Sequence, residues 1–433
     1  MSAPNGKLAA NRPVGIDGLA PPVADRPEPP PPSLWKRTLT IMFVAQLMTA
    51  VGFSSINPFL PLYVQELGSS SGLGVEILVA LVFSAQAFTM MFASPIWGNL
   101  ADRYGRKLMV VRAMLGGAVL LLLMAFVRSA EQLVALRAVQ GLVTGTITAT
   151  NALVASDAPR ERVGYAMGML GVGSGLGVAL GPLVGGAVAD LLGYREAFYV
   201  TAVMLFCAGL LVLGGVHEEH MRDMDPSHSG PTAVARWKHA LTEAGMLVIY
   251  LVRFLTQLGQ MMIVPILPLF LATLLLDTSR LNTVTGVVTG VSAAATILSA
   301  IYLGRLGDRI GHRTVLVSCT LIAAALYWPM SGVLDSTQLL VLYALVGAAL
   351  GGVVPSIPAL VARYSRPGEE GTVYGLENSI RSGARFLAPL IGVWIALQFG
   401  LPMTFVATAL CFGLAGILAV AGLARHPGRL SYT

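Results

Sequence analysis

The chain has 433 residues, of which 55% are hydrophobic and 12% are charged. Soluble domains carry about 25% charged residues, so this composition excludes a soluble globular protein and indicates a polytopic membrane protein. The net charge of +6 does not indicate nucleic-acid binding, because the basic residues lie in short clusters between apolar segments rather than on one face.

The chain begins with a polar, proline-rich segment, residues 1–37, that includes PEPPPPSLWK. It cannot bury enough apolar surface to fold, so we expect a disordered tail, and the absence of an apolar run before residue 38 predicts no cleavable signal peptide. Crossing a bilayer takes about 20 apolar residues. Twelve such runs follow, at 38–64, 77–99, 108–127, 133–156, 164–189, 196–216, 246–275, 283–303, 314–334, 338–362, 372–397 and 401–423.

The distribution of basic residues predicts the orientation of these spans. With the N-terminus in the cytoplasm, 21 of the 28 Lys and Arg residues fall on the cytoplasmic side. Only Arg128, Arg195 and Arg280 fall in outside loops. Because Lys and Arg concentrate in cytoplasmic loops, we expect both termini to be cytoplasmic.

The longest break between spans, residues 217–245, divides them six and six. We therefore predict a six-helix bundle at 38–216, a cytoplasmic linker at 217–245, a second bundle at 246–423 and a cytoplasmic tail at 424–433.

An internal repeat supports the division. Shifting the chain by 207 residues places TAVGFSSINPFLPLY (49–63) on TQLGQMMIVPILPLF (256–270). A shift of 206 places GNLADRYGRK (98–107) on GRLGDRIGHR (304–313). Two parallel six-helix repeats are typical of transporters whose substrate site lies between the halves.

The segment GNLADRYGRK lies where the second span turns into the third. Gly98 and Gly105 permit the turn, and Asp102 beside Arg103 and Arg106 offers an acceptor for a cation or a helix N-terminus. The second half repeats the pattern at Asp308, Arg309 and Gly311. A positive anchor that only fixes topology is the alternative, but the duplication favours a gating function.

The fifth span carries regularly spaced small residues and one proline, at Gly168, Gly177, Gly181, Pro182, Gly185 and Gly186. Glycines at this spacing let two membrane helices touch closely, and a proline bends a helix. One interpretation is a packing face alone, and the other is a functional motif.

The duplicated turn and the six-plus-six arrangement resemble the major facilitator superfamily over about residues 38–423. The resemblance implies an all-α membrane fold of twelve transmembrane helices in two pseudosymmetric six-helix bundles. It also implies that each turn latches the cytoplasmic gate, with Asp102 docking near Gly371 and Asp308 near Gly164.

The glycine pattern of the fifth span resembles the antiporter motif of the drug:proton antiporter branch of that family. This resemblance implies export in exchange for protons. In the fourth span, LRAVQGLVTG resembles the Arg-bearing motif of the same branch, which implies a role for Arg137 in proton transfer. The stretch NPFLPLYVQELG is similar to bacterial multidrug exporters.

One carboxylate, Glu377, lies well inside a predicted span, followed by Arg381 and Arg385 four and eight residues later on nearly the same helix face. A Glu377–Arg381 ion pair that fixes packing is one interpretation. The other is a carboxylate whose protonation depends on its Arg partner. We assign proton coupling to Arg137, Glu377 and Arg381.

Polar side chains within spans seek the interior of a bundle. The predicted substrate cavity is therefore lined by Gln46, Asn57, Arg253, Gln257, Gln260 and Arg385. Because Arg binds carboxylates and phosphonates bidentately, this lining favours anionic or amphiphilic compounds.

The sequence thus predicts a secondary transporter that exports small molecules by proton antiport through alternating access. We expect a monomer in the bacterial inner membrane, driven by the proton gradient and without metal or other cofactor. Uptake or facilitated diffusion of a polar metabolite is the alternative. An enzyme is not expected, because the sequence holds no nucleotide-binding loop, metal-ligand cluster or nucleophile and base pattern.

Overall fold

A computed structural model describes residues 32–144, 162–216, 244–365 and 370–423, together with residues 150, 151, 153, 154, 157 and 159. Fourteen α-helices make up most of these regions. They are α1 (Pro32–Ser55), α2 (Leu60–Leu67), α3 (Val75–Tyr104), α4 (Arg106–Met124), α5 (Ala130–Val143), α6 (Val163–Leu191), α7 (Tyr194–Gly215), α8 (Ala244–Ile263), α9 (Leu267–Leu274), α10 (Leu281–Ile310), α11 (His312–Tyr327), α12 (Ser336–Tyr364), α13 (Glu370–Phe399) and α14 (Met403–Gly422).

Within the described regions, eleven helices are long and apolar enough to cross a bilayer. They correspond to every predicted span except the fourth. In the region of the fourth span, the structure describes α5 and a few separate residues after it. The chain is a multi-pass membrane protein of the predicted all-α class. The predicted tails and the 217–245 linker lie almost wholly outside the described residues, so the bundle boundaries stay predictions.

The first and seventh spans were predicted as single runs, and each consists of a long and a short helix. A turn at residues 56–59 separates α1 from α2, and a similar turn separates α8 from α9. Pro58 and Pro265 fall in these turns, and proline removes a helical N–H and disfavours helix at the residue before it. Pro61 and Pro268 then stand in the first turns of the short helices, where proline is tolerated.

The internal repeat is present in the backbone. The short helices α2 and α9 have equal length and begin 207 residues apart. Gly105 and Gly311, which start α4 and α11, have φ values of 97° and 95°. These left-handed values favour glycine over other residues, so the glycines of the two duplicated turns make the same sharp reversal.

Each half contains an equivalent aromatic contact in its core. The rings of Tyr63 and Phe198 lie 5.4 Å apart, and the rings of Phe270 and Phe405, 207 positions later, lie 5.0 Å apart. Phe198 and Phe405 are fully buried. Truncation of such a side chain to Ala costs about 3–5 kcal/mol, so these pairs anchor the two halves separately.

Two seams join the halves, one between α6 and α10 and the other between α3 and α13. We call the side of the bundle where α1 begins and α14 ends the termini side, and the opposite side the far side. At the α3–α13 seam, Ser84 Oγ donates to Phe386 O at 2.7 Å. On the far side of this hydrogen bond, Ala80 and Val393 belong to one buried apolar cluster with Ile266.

The α6–α10 seam is closed on the far side and open on the termini side. A Cβ added at Gly290 would lie 2.8 Å from Ala179 O, and one added at Gly175 would lie 3.2 Å from Ile297 Cδ1. Farther toward the termini side, a Cβ added at Gly171, Gly168 or Gly164 would meet nothing within 4 Å. The structure is therefore a conformation closed on the far side.

A serine cluster fixes the start of α5 on the far side. Glu131 Oε1 accepts hydrogen bonds from Ser69 Oγ at 3.0 Å and from the N–H groups of Ser70 and Ser71 at 2.9 Å. The hydroxyls of Ser70 and Ser71 also donate to this carboxylate, at 2.9 and 2.7 Å. These hydrogen bonds hold the pKa of the Glu131 carboxyl well below its usual range, and the bond from the Ser71 hydroxyl has the largest effect.

We expect Glu131→Gln to lower the melting temperature. The carboxylate offers two acceptor oxygens to the serine donors, whereas the amide offers only one. A depressed pKa contributes stability above the ordinary carboxyl range and loses it as the pH falls toward the folded-state value. The difference from the parent should therefore be constant near neutral pH and shrink only below about pH 4. Glu76→Gln, at an exposed carboxylate in the first turn of α3, is the control. Equal melting temperatures for both variants would show that the serine cluster adds no stability.

Candidate functional site

Charged and polar side chains form a ladder between α8 and α13 in the second half. Tyr250 OH donates to Val373 O at 3.4 Å. One turn farther along both helices, Arg253 Nε lies 2.6 Å from Glu377 Oε1, and each of these side chains is 15% exposed. The carboxylate of Glu377 is thus neutralised by the neighbouring helix.

This contact corrects the predicted pairing within α13. One interpretation of the sequence paired Glu377 with Arg381, whereas the structure pairs it with Arg253. Arg381 instead donates from Nε to Gln257 Oε1 at 3.3 Å. Helical spacing brings Glu377 and Arg381 to one face, but the packing of α8 offers each of them a closer partner.

Arg385, one turn beyond Arg381, completes a cationic cluster. The guanidinium groups of Arg253, Arg381 and Arg385 and the carboxylate of Glu377 lie close enough to interact electrostatically. Three positive groups therefore share one negative group. Within the described regions, the buried Nε of Arg385 has no hydrogen-bond partner, although buried donors in proteins almost always have one.

A second polar group lies in the first half. Arg137 Nη1 donates to Gln86 Oε1 at 3.0 Å and to Gln140 Oε1 at 2.9 Å. The close crossing of α3 and α5 fixes this geometry, because a Cβ added at Gly141 would collide with Gln86 O and Thr89 Oγ1. Gln86 is a functional candidate that the sequence analysis missed, although an amide inside a predicted span was the available signal.

The other predicted cavity residues differ in burial. Gln46 is 3% exposed, and its Oε1 has no hydrogen-bond partner in the part of the chain that the structure describes. Asn57 and Gln260 are half-buried. Gln46 and Asn57 belong to the first span, and Gln260 belongs to α8. Among the described residues, neither Gln46 nor Asn57 contacts the arginine cluster.

The glycines of α6 form two packing faces. A Cβ added at Gly177 would lie 2.9 Å from Leu47 O, and one added at Gly181 would lie 2.7 Å from Val51 O. Gly185 faces the backbone of Ser55 on the same helix, α1. Ser54 Oγ bonds to Gly177 O at 2.9 Å, so α6 and α1 touch backbone to backbone.

The other face of α6 belongs to the seam between the halves. Gly186 faces the carbonyl of Asn282, and Gly286 of α10 faces Pro182 O. Pro182 lies inside α6, which continues to Leu191. Gly168, by contrast, touches neither α1 nor α10 in this conformation, because it lies where the halves diverge.

The two predicted gating turns lie on the termini side. The structure describes neither the side chains of Asp102 and Arg103 nor the surroundings of Gly98 and of the predicted docking point, Gly371. Asp308 and Arg309 lie in the exposed last turn of α10, and Asp308 Oδ1 is 3.1 Å from His312 Nε2. Asp308 therefore contacts its own half here rather than Gly164, and the latch stays a prediction.

The described regions give no support to a metal centre, since no group of three or more His, Cys, Asp and Glu residues gathers there.

Comparison with known proteins identifies relatives over nearly the whole chain. The family model described as Major Facilitator Superfamily matches residues 42–275 and 249–432. The chain is 36% identical over 388 residues to the multidrug resistance protein MdtG of Salmonella dublin, covering 87% of this chain and 93% of that protein. It is also 36% identical over 389 residues to MdtG of Enterobacter lignolyticus, covering 88% and 90%.

Solved structures share the fold at low sequence identity. The nucleoside transporter NupG, as its D323A mutant, aligns with a TM-score of 0.75 and 12% identity over 89% of this chain and 100% of that one. A bacterial homologue of the human lysosomal transporter Spinster, in an inward-facing conformation, gives 0.73 and 13% over 89% and 96%. The human organic anion transporter MFSD10 gives 0.65 and 20% over 90% and 100%. At these identities the likeness shows the fold alone.

The two environments of the α6 glycines generate a prediction. Gly181→Leu should abolish transport and lower the yield of folded protein, because the new side chain would collide with Ser54 and Val51 O and overpacking alone costs about 1–3 kcal/mol. Gly168→Leu is the matched control, since it places the same side chain on the same helix in open space.

Monodispersity in detergent and thermal melting measure folding separately from transport. Gly168→Leu should fold like the parent even if it alters transport in another conformation. Equal folding of both leucine variants would contradict the packing assigned to Gly181.

Proposed function

This chain belongs to the major facilitator superfamily, and from that premise we propose that it is a multidrug exporter that exchanges small molecules for protons by alternating access. The similarity to multidrug resistance proteins over 87% of the chain carries the proposal. The duplicated arrangement fits such a mechanism, since substrate sites of repeat-built transporters lie near the repeat interface. The arginine cluster lies near that interface, because Arg385 is adjacent to Phe386 of the α3–α13 seam.

We place the protein in the bacterial inner membrane as a monomer, with both termini in the cytoplasm. The excess of Lys and Arg on the termini side supports this orientation. In this orientation, the side of the protein that is open in the structure faces the cytoplasm, where an exporter collects its substrate.

For the cytoplasmic gate we retain Asp102 and Asp308. Docking of either carboxylate on a helix start of the other half belongs to the conformation that opens outward, in which the termini sides of the halves approach. The separation of the halves at Gly164 and Gly168 in the present conformation is compatible with this assignment.

The arginine cluster supports a preference for anionic compounds. Arg253, Arg381 and Arg385 outnumber Glu377, and Arg385 has a buried donor without a partner among the described residues. A carboxylate or phosphonate accepts such donors with charge-assisted hydrogen bonds. We therefore propose that Arg385 binds the acidic group of the transported compound.

Glu377 is the proposed proton carrier. Its carboxylate is held by Arg253 in this conformation. Loss of the arginine favours protonation of the carboxylate, so we propose that Glu377 takes up its proton in the conformation open to the other side, after the pair has separated and the substrate has left. Arg137 and Arg381, which bond to glutamine amides, complete the proposed coupling residues.

We predict that expression of the protein raises the tolerance of a drug-sensitive bacterial strain to anionic antibacterial compounds in a growth-inhibition panel. Arg385→Gln should weaken binding of these compounds by about tenfold or more, since a hydrogen bond to a charged group contributes about 1.5–3 kcal/mol. Arg363→Gln removes an exposed arginine at the end of α12 and is the control. Tolerance limited to cationic compounds, or equal loss in both variants, would remove Arg385 from the substrate site.

The coupling of Glu377 to Arg253 generates a second test, in inverted membrane vesicles. Glu377→Gln should abolish accumulation driven by a pH gradient while substrate binding persists, because the amide cannot exchange a proton. It also leaves Arg253 unpaired, so thermal stability should fall.

The double variant Glu377→Gln, Arg253→Gln separates the two effects. A proton carrier predicts that stability returns and pH-driven accumulation does not. If both return together, the pair is structural and Glu377 is not the proton site.

A further inference from the structure

The first turn of α10, on the far side, is capped by a carboxylate from the other half of the molecule. Asp190 Oδ1 accepts from Asn282 N at 3.2 Å and from Asn282 Nδ2 at 2.6 Å, and Asp190 Oδ2 accepts from Thr283 N at 2.6 Å. The first N–H groups of a helix have no partner within it. Two of those of α10 are therefore satisfied across the α6–α10 seam.

Helix α10 has no cap of its own at this end. Its N-cap residue is Arg280, whose side chain makes no capping hydrogen bond and has no acceptor atom. Helix α12 differs, because Asp335 accepts from Thr337 N at 3.2 Å within the same half. Two aspartates thus cap two helices on the far side, but only Asp190 does so between the halves.

Among the described residues, the other seam has no equivalent contact. The repeat shift of 207 residues places Leu397 of α13 at the position of Asp190. Around it the α3–α13 seam is closed by apolar packing of Ala80, Val393 and Ile266. In the part of the chain that the structure describes, a carboxylate cap between the halves therefore occurs at one seam.

We propose that Asp190 is a latch that holds the far side of the protein closed. Opening that side separates α6 from α10, which breaks three hydrogen bonds to a carboxylate and removes a negative charge from the positive end of a helix dipole. Hydrogen bonds to a charged group remain net stabilising after exchange with water, so the latch biases the protein toward the conformation that is open on the termini side. The inference rests on alternating access, which the proposed function requires, but not on the transported compound or on proton coupling.

Cysteine labelling tests the latch without any substrate. In a background with the three native cysteines replaced, Ala80→Cys reports opening of the far side from the second seam, since Ala80 is 2% exposed and lies away from Asp190. Gly171→Cys reports the termini side, where a side chain meets open space. A membrane-impermeant maleimide is applied to permeabilised membranes, so that it reaches both faces.

Adding Asp190→Ala should speed labelling of Ala80→Cys by about fivefold or more, the scale of a typical conformational coupling. It should also slow labelling of Gly171→Cys, because a shift of the whole equilibrium closes one side as it opens the other. Asp335→Ala, which removes a carboxylate cap within one half, should change neither rate.

Asn282→Ala approaches the contact from the other half and removes one donor. It should act in the same direction with a smaller effect, and it carries the test if Asp190→Ala fails to fold. Unchanged rates in both latch variants would overturn the proposal. Faster labelling of Ala80→Cys without slower labelling of Gly171→Cys, or an equal effect of Asp335→Ala, would also overturn it, because either result indicates local loosening. If the labelling rates shift as expected but the protein does not export drugs, the latch is supported and the proposed function is contradicted.

Discussion

Close backbone contact along α6 is the constraint on which the rest of the structure depends. Gly177, Gly181 and Gly185 leave no room for a side chain against α1, while Gly186 leaves none against α10. Apolar burial cannot drive two helices together within lipid, so contact rests on packing and hydrogen bonds. Helix α6 therefore joins the first half internally and also carries one of the two seams to the second half.

The polar interior depends on this arrangement, because the seams determine what faces the space between the halves. On the second half, α8 and α13 present an ion pair and two further arginines. On the first half, Arg137 is held by two glutamines. Charges within the bilayer are costly, and the excess of guanidinium groups over carboxylates is the basis of the anion site that we propose.

The two seams are related by the internal repeat but differ in chemistry. One is closed on the far side by apolar side chains and the other by a carboxylate on a helix end. Separation of the α3–α13 seam exposes apolar area and breaks the hydrogen bond from Ser84 to Phe386 O, whereas the capped helix end loses hydrogen bonds to a charged group. A duplicated fold can thus keep its symmetric shape while its two interfaces are closed by different interactions.

The sequence by itself determined the class and the repeat. Twelve apolar runs, the 207-residue shift and the two Asp-Arg-x-Gly turns predicted the membrane fold and the equivalence of residues 49–63 and 256–270, in which α2 and α9 begin. These features are local or periodic, so composition and spacing are enough to reveal them. The proline pairs that end α1 and α8 were also visible, although their effect on the long spans was not anticipated.

Only the tertiary structure decided which charges meet. Spacing along α13 favoured a pair between Glu377 and Arg381, but the partner of Glu377 is Arg253, 124 positions earlier. The cap that Asp190 places on α10 was likewise hidden, since it joins residues 92 and 93 positions apart. The orientation of one helix against another is set by backbone contacts such as those of α6, and a single sequence carries no direct record of which faces those contacts bring together.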